Sequence, residues 1–143
     1  MRPKVAVLIP ILTSLVLVAF LAGCNKKAAA PKVDLSAQVA ILKSGDTDAK
    51  VNALVELGKL EEGALPALDD LIALLKDPAP EVRRLSAYVM MQIGPKASRA
   101  LPALEPLLQD PDRGVVLQVG TTMTKIDKEA LKGMPLQKLK DSL

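Results

Sequence analysis

The chain has 143 residues, of which 50% are apolar and 24% are charged, so it is large enough and apolar enough to bury one core. Arg2 and Lys4 account for two of its 19 basic residues, which leaves 17 basic against 16 acidic residues. This balance, with Phe20 and Tyr88 as the only aromatic residues, argues against a nucleic-acid-binding protein. A core of Leu, Val, Ile, Ala and Met favours packed helices and an all-α fold.

The N-terminus has the layout of a secretion signal. Arg2 and Lys4 form a basic start, and a largely apolar run then extends from Val5 to Ala22. The run ends in small residues directly before Cys24, the only cysteine, whose thiol can be alkylated by a lipid donor. The alternative is an uncleaved membrane anchor, because the length of the run is close to the lower limit for a membrane-spanning helix.

The residues Leu21, Ala22, Gly23 and Cys24 resemble the lipobox of bacterial lipoproteins. The resemblance implies that a peptidase recognises the first three and cleaves before Cys24, which then carries diacylglycerol and an N-acyl lipid. In that family an aspartate after the cysteine retains the protein at the inner membrane, and here Asn25 follows. The resemblance therefore implies the periplasmic leaflet of the outer membrane in a diderm cell, and otherwise the outer face of the cell membrane.

Four parts of the chain differ in composition. Residues 1–23 form the predicted signal peptide, and residues 24–33, which include the sequence AAAPK, form a predicted flexible tether of small residues and one proline. From Asp34 onward the apolar residues follow helical spacing, which predicts a repeat domain over residues 34–127. Residues 128–143 form a separate C-terminal segment.

The folded part repeats its own sequence. The pentapeptide ALPAL at 64–68 returns at 100–104, an offset of 36, and LLKDP at 74–78 returns as LLQDP at 107–111, an offset of 33. A weaker first copy ends in LVELG at 54–58, which aligns with MMQIG at an offset of 36. Periods of this length are typical of stacked helical hairpins, although two similar amphipathic hairpins could also arise independently.

Each unit is predicted to contain two helices. The first begins near Pro66 or Pro102, because a missing N–H costs nothing in the opening turn of a helix. An Asp-Pro pair ends it, and the aspartate is positioned to cap the second helix. In the middle unit the second helix ends at Gly94. Its predicted buried stripe consists of Val82, Leu85, Val89, Met90 and Ile93.

The segment DPAPEVRRLSAYVMMQIG resembles the second helix of a HEAT repeat of the bacterial, bilin-lyase-like type. Asp77, Val82 and Arg83 stand in the family's Asp, Val and basic positions. The resemblance implies a short α-solenoid of about three HEAT-like hairpins, in which Asp77, Arg83 and Asp110 form a hydrogen-bonded ladder along the stack. The third unit departs from the pattern, because Val116 stands where the basic residue belongs, and Asp110 is therefore expected to lack a partner.

The C-terminal segment, residues 128–143, is amphipathic and rich in lysine. We expect one or two short capping helices that close the open end of the solenoid. The alternative is a helix on the membrane surface, for which the available apolar side chains are Leu131, Met134, Leu136 and Leu139.

The composition leaves little chemistry for catalysis. The chain has no histidine and its one cysteine is assigned to lipid, which excludes Cys/His pairs, Ser-His triads and most zinc or haem sites. The consecutive carboxylates Glu61-Glu62 and Asp69-Asp70 point about 100° apart on a helix and are interpreted as solvated positions. We predict no catalytic residue, no metal, no small-molecule substrate and no cofactor besides the lipid on Cys24.

These features predict a lipid-anchored, non-catalytic scaffold that binds protein partners in the cell envelope; the alternative is a structural or assembly subunit of a larger envelope complex. The candidate binding surface is a ridge on the middle second helix, where Arg84, Tyr88 and Met91 follow at spacings of four and three. The alternative for Tyr88 is to fill the seam between repeats. Equivalent positions in neighbouring units are Asn52, Val55, Thr121 and Thr124.

Overall fold

The computed structural model describes residues 33–132, which form three helical hairpins and contain no strand within that range. The prediction of a short all-α solenoid is therefore confirmed. Residues 1–32 and 133–143, and with them the signal peptide, nearly all of the tether and most of the C-terminal segment, lie outside the described residues. The helices are α1 (Leu35–Ser44), α2 (Thr47–Gly58), α3 (Leu68–Leu74), α4 (Pro80–Ile93), α5 (Leu101–Leu104) and α6 (Arg113–Ile126).

The second helices of the three hairpins, α2, α4 and α6, lie side by side in that order, with α2 against α4 and α4 against α6. They begin at Thr47, Pro80 and Arg113, which keeps a constant offset of 33 from each repeat to the next. The first helices form a second layer, and the core lies between the layers. Leu57, Met90 and Met123 occupy the same core position in the three repeats at this offset.

The predicted buried stripe of α4 is largely confirmed. Val82, Val89, Met90 and Ile93 are at most 1% exposed, whereas Leu85 is half-buried. The helix ends at Gly94, whose φ of 71° lies in the left-handed region that glycine adopts without steric cost.

The first helices of the second and third hairpins are interrupted by 3-10 segments, so the prediction of one continuous helix is wrong for both. The predicted start near Pro102 is confirmed, because α5 carries this proline in its first turn. In the second hairpin, Pro66 lies inside a 3-10 segment, Glu61–Ala67, that precedes α3. In the third, α5 has only four residues and is followed by the 3-10 segment Glu105–Gln109. Pro106 lies at the start of that segment, where the missing N–H and the ring prevent α-helical continuation.

Aspartate side chains start three of the helices. Asp34, Asp46 and Asp112 accept hydrogen bonds from backbone N–H groups in the first turns of α1, α2 and α6. The prediction that Asp77 caps α4 is wrong, because the N-cap residue is Ala79 and makes no side-chain cap. Asp77 lies too far before the helix and instead accepts a 3.0 Å hydrogen bond from the Ala79 N–H, which stabilises the turn.

Candidate functional site

One ion pair joins α2, and an equivalent one joins α4, to the turn between the two helices of the following hairpin. Lys50 Nζ on α2 lies 2.9 Å from Asp77 Oδ2, and Arg83 on α4 donates from Nε and Nη2 to the two carboxylate oxygens of Asp110, both at 2.8 Å. The side chains of Asp77 and Asp110 are only 6% and 7% exposed. The two rungs have the same separation along the sequence, so they are equivalent contacts of successive repeats.

The expectation that Asp110 lacks a partner is wrong. Its partner is Arg83 of the preceding repeat, so the basic residue of one repeat serves the aspartate of the next. Val116 occupies the position in α6 that is equivalent to Arg83 in α4, so its side chain would face the aspartate of a fourth hairpin. Lys50 supplies the basic residue of the first rung. The sequence alignment at an offset of 36 did not pair it with Arg83, because the two residues are 33 positions apart.

The ladder is ionic at neutral pH. Burial by itself raises the pKa of Asp77, but hydrogen bonds from Lys50 and from the Ala79 N–H outweigh it, so the pKa lies below its ordinary value. Burial likewise opposes the hydrogen bonds from Arg83 and the Asp112 N–H at Asp110, whose pKa is also lowered. The hydrogen bonds to Asp110 raise the pKa of the Arg83 guanidinium further. The carboxylates of Asp77 and Asp110 and the guanidinium of Arg83 are thus charged.

The predicted ridge on α4 is only partly exposed. Arg84 is exposed and extends toward the start of α6, where a Cβ on Gly114 would lie 3.5 Å from its Nη1. Tyr88 is half-buried against α2: a Cβ on Gly58 would lie 3.0 Å from the Tyr88 Cε1 atom. The tyrosine ring therefore fills the seam between two repeats.

Met91 and the two threonines occupy different surroundings. Met91 is half-buried, and its Sδ accepts a 3.7 Å hydrogen bond from Gln118 Nε2 on α6. Thr121 and Thr124 are exposed, and their hydroxyls donate to carbonyl oxygens of α6 itself, each at 2.9 Å. Of the five predicted binding residues, Arg84, Thr121 and Thr124 are open to solvent, whereas Tyr88 and Met91 also pack between helices.

Two exposed apolar side chains extend this surface. Val55 on α2 is 44% exposed and Leu117 on α6 is 56% exposed. At the offset of 33, Val55 is equivalent to Tyr88, not to Met91 as the sequence alignment had it, and Leu117 is equivalent to Arg84. We call Val55, Arg84, Tyr88, Leu117 and Thr121 the second-helix face. The sequence analysis did not single out Leu117, although its offset of 33 from Arg84 would have indicated that it lies on this face.

A largely apolar groove of about 780 Å³ is formed by α6 and the turn that follows it. Val116, Leu117, Gly120 and Leu131 line it, and its rim carries Lys125 and Lys128. We call it the end groove. Thr121 and Thr124 also line it, so these two threonines belong to the end of the stack as much as to the ridge.

Three of the four consecutive carboxylates take part in ion pairs between repeats. Glu62 pairs with Lys96 at 2.5 Å, Asp69 with Arg99 at 2.8 Å and Asp70 with Lys43 at 3.2 Å. Except for Asp70, at 26%, these side chains are more than half exposed, so each pair contributes little to stability.

Residues 33–132 contain neither a candidate metal cluster nor a candidate membrane-spanning helix. No three His, Cys, Asp or Glu side chains in this range cluster in a way that could hold a metal ion. None of the helices described there combines the length and hydropathy that a membrane crossing requires. The predicted lipidation site Cys24 and the recognition residues Leu21, Ala22 and Gly23 lie outside the described residues.

Comparison with protein families identifies the kind of helical repeat that forms the stack. The model of the HEAT repeats family matches residues 35–123, from the start of α1 to the last turns of α6. The chain belongs to the HEAT repeat family. A search of curated proteins found no match. HEAT repeats commonly mediate contacts between proteins, and the family is generally non-catalytic. The HEAT architecture thus indicates a protein-interaction scaffold.

Proposed function

We propose that this HEAT repeat protein is a lipid-anchored, non-catalytic scaffold of the cell envelope that binds a protein partner through its second-helix face. The observation that carries the proposal is the exposure of Val55 and Leu117 on either side of Arg84. Apolar side chains around an arginine are typical of the centre of a protein interface. Because the three residues lie on adjacent packed helices, the surface is organised before a partner binds.

The anchor in this proposal is Cys24, which follows Leu21, Ala22 and Gly23 in a lipobox-like sequence. Its acyl chains would hold the protein at the membrane, and residues 24–33 would let the stack move relative to the lipid. Asn25 supports the periplasmic leaflet of the outer membrane in a diderm cell, or the outer face of the membrane in a single-membrane cell.

The test captures the partner in intact cells that express the full-length protein. A photoreactive amino acid placed at Asn52, exposed on α2 beside Val55, is irradiated, and the crosslinked protein is identified by mass spectrometry. We expect Arg84→Glu and Val55→Asp each to weaken capture of that protein by about 5- to 30-fold, which corresponds to a loss of about 1–2 kcal/mol of binding free energy. The melting temperature should change little, because both side chains are exposed.

The matched control is Lys76→Glu, the same kind of charge reversal at an exposed residue in the turn between α3 and α4. It should leave capture unchanged. If Arg84→Glu and Lys76→Glu capture the partner equally well, the second-helix face is not the binding surface.

A second arm of the experiment tests the anchor. The Cys24→Ser variant should incorporate no labelled palmitate and should keep its leader, because the peptidase acts on the lipidated precursor. Normal processing of this variant would rule out the lipoprotein assignment and leave the binding surface to be judged by the capture experiment.

A further inference from the structure

Two rows of charged side chains border the second-helix face. Asp48 and Glu81, both exposed, form an acidic row near the starts of α2 and α4, and their offset is 33. Lys59 and Lys125, also exposed, form a lysine row at the ends of α2 and α6, and their offset is 66, which is twice the repeat. Spacings of seven and four from the residues of the second-helix face put both rows on the same side of the helices. The face therefore lies between a negative and a positive edge.

Uncharged polar side chains on this side of the stack already make hydrogen bonds within the protein. Gln92 Nε2 donates to the Tyr88 hydroxyl at 2.6 Å. Gln118 Nε2 donates to the Thr122 hydroxyl at 3.3 Å, and the Thr121 hydroxyl donates to a carbonyl oxygen of its own helix at 2.9 Å. An extended segment would bring a row of backbone N–H and C=O groups that need partners on the surface, whereas a helix pairs these groups internally. The surface therefore suits a helix better than an extended segment.

The dimensions of the surface also suit one helix. Packed helices lie about 8–10 Å apart, so α2 and α6, on either side of α4, are separated by roughly 16–20 Å. A helix covers this distance in about 11–14 residues. The eleven positions from Asp48 to Lys59 rise about 16 Å along α2, which leaves room between the two charged rows for a helix of about 10–12 Å in diameter.

Arg84 indicates the charge of the occupant. It is exposed on the middle helix, between Val55 and Leu117, and it has no ion-pair partner within residues 33–132. Covering an arginine without a compensating charge costs free energy, so the occupant must place a carboxylate against it. The lysine row favours further acidic side chains on one flank of the occupant, and the acidic row favours basic side chains on the other. The charges thus specify an amphipathic helix and fix its orientation about its own axis.

We propose that the partner binds through an amphipathic helix that lies across α2, α4 and α6. Apolar side chains of this helix contact Val55 and Leu117, and an acidic side chain between them binds Arg84. The inference rests on the proposed scaffold function and adds to it the chemistry of the partner. The partner segment should carry two apolar residues about 11 or 14 positions apart, because these spacings return to the same face of a helix, with an acidic residue between them.

Crosslinking from two helices locates the partner segment in intact cells. The full-length protein carries a short diazirine amino acid either at Asn52 on α2 or at Thr121 on α6, both exposed, and mass spectrometry identifies the attachment sites. We expect one partner segment with attachment sites about 11–14 residues apart. A separation of about 5–6 residues would show an extended segment, a crosslinked homodimer would show a second copy, and two distant segments would show separate contacts. Each of these results overturns the proposal. The first and the third leave the scaffold function intact, whereas capture at neither site overturns both.

A charge swap tests the contact at Arg84. The probe is a synthetic peptide with the sequence of the crosslinked segment, and its binding to the purified full-length protein is measured by fluorescence anisotropy. Arg84→Glu should weaken binding by about 10-fold, and a peptide with lysine in place of the central acidic residue should regain most of that loss on the Arg84→Glu protein while binding the wild-type protein weakly. Lys76→Glu should bind both peptides as the wild-type protein does. If the lysine peptide binds the Arg84→Glu protein no better than the original peptide does, the acidic residue does not contact Arg84 and the proposal is wrong.

Discussion

At the scale of single residues, the two rungs of the ladder are unequal. Asp110 accepts two hydrogen bonds from a guanidinium that is 13% exposed, whereas Asp77 accepts one from the ammonium of Lys50, which is 22% exposed. Asp110→Ala leaves the more buried cation unpaired, so we expect it to cost about 2–3 kcal/mol of unfolding free energy, against about 1–2 kcal/mol for Asp77→Ala. Urea unfolding of the two variants measures the difference.

The control for the ladder is Asp69→Ala. Its carboxylate also binds an arginine at 2.8 Å, but it is 77% exposed, so the loss should be below about 1 kcal/mol. A loss at Asp110 no larger than that at Asp77 would contradict the pairing of Arg83 with the following repeat.

At the scale of elements, the contact between α2 and α4 depends on the match of Gly58 with the Tyr88 ring. Tyr88→Ala should cost about 2–3 kcal/mol, because it empties a half-buried seam. Gly58→Ala should also destabilise the wild-type protein, since the new Cβ would lie 3.0 Å from Tyr88 Cε1. In the Tyr88→Ala background the obstacle is gone, and the better helix propensity of alanine should make the same change stabilising.

Chemical unfolding of the four proteins in this double-mutant cycle measures the coupling between the two positions. An identical effect of Gly58→Ala in both backgrounds would show that the tyrosine does not pack in the seam. Loss of partner capture by Tyr88→Ala without loss of stability would instead show that the ring contacts the partner and does not support the seam.

At the scale of the whole molecule, the ladder makes the free energy of unfolding depend on pH in the acidic range. The pKa values of Asp77 and Asp110 are lowered in the folded state, so their contribution is complete above the unfolded value of about 3.9 and is lost as pH falls through the folded values. The double variant Asp77→Asn with Asp110→Asn should be less stable than the wild-type protein at pH 7. It should also lose less stability than the wild-type protein when the pH falls below about 4. Parallel curves of unfolding free energy against pH would contradict this role.

The sequence by itself determined the features that depend on neighbours in the chain. The apolar residues at helical spacing between Val82 and Ile93 predicted the buried face of α4, and Gly94 predicted its end, because periodicity and capping act within a few residues. The repeat at offsets of 33 and 36 predicted the stack, and the family match bears this out.

Only the tertiary structure decided which repeats supply the two halves of each contact. Arg83 reaches Asp110 of the following repeat, and Tyr88 meets Gly58 of the preceding one, because hairpins stack with each second helix against its neighbours. A repeated sequence leaves open whether a residue contacts the preceding repeat, the following one or solvent. The direction in which the hairpins stack decides which of these contacts forms. That direction is set by the burial of helix faces between neighbouring hairpins, and this burial occurs only once the core is assembled.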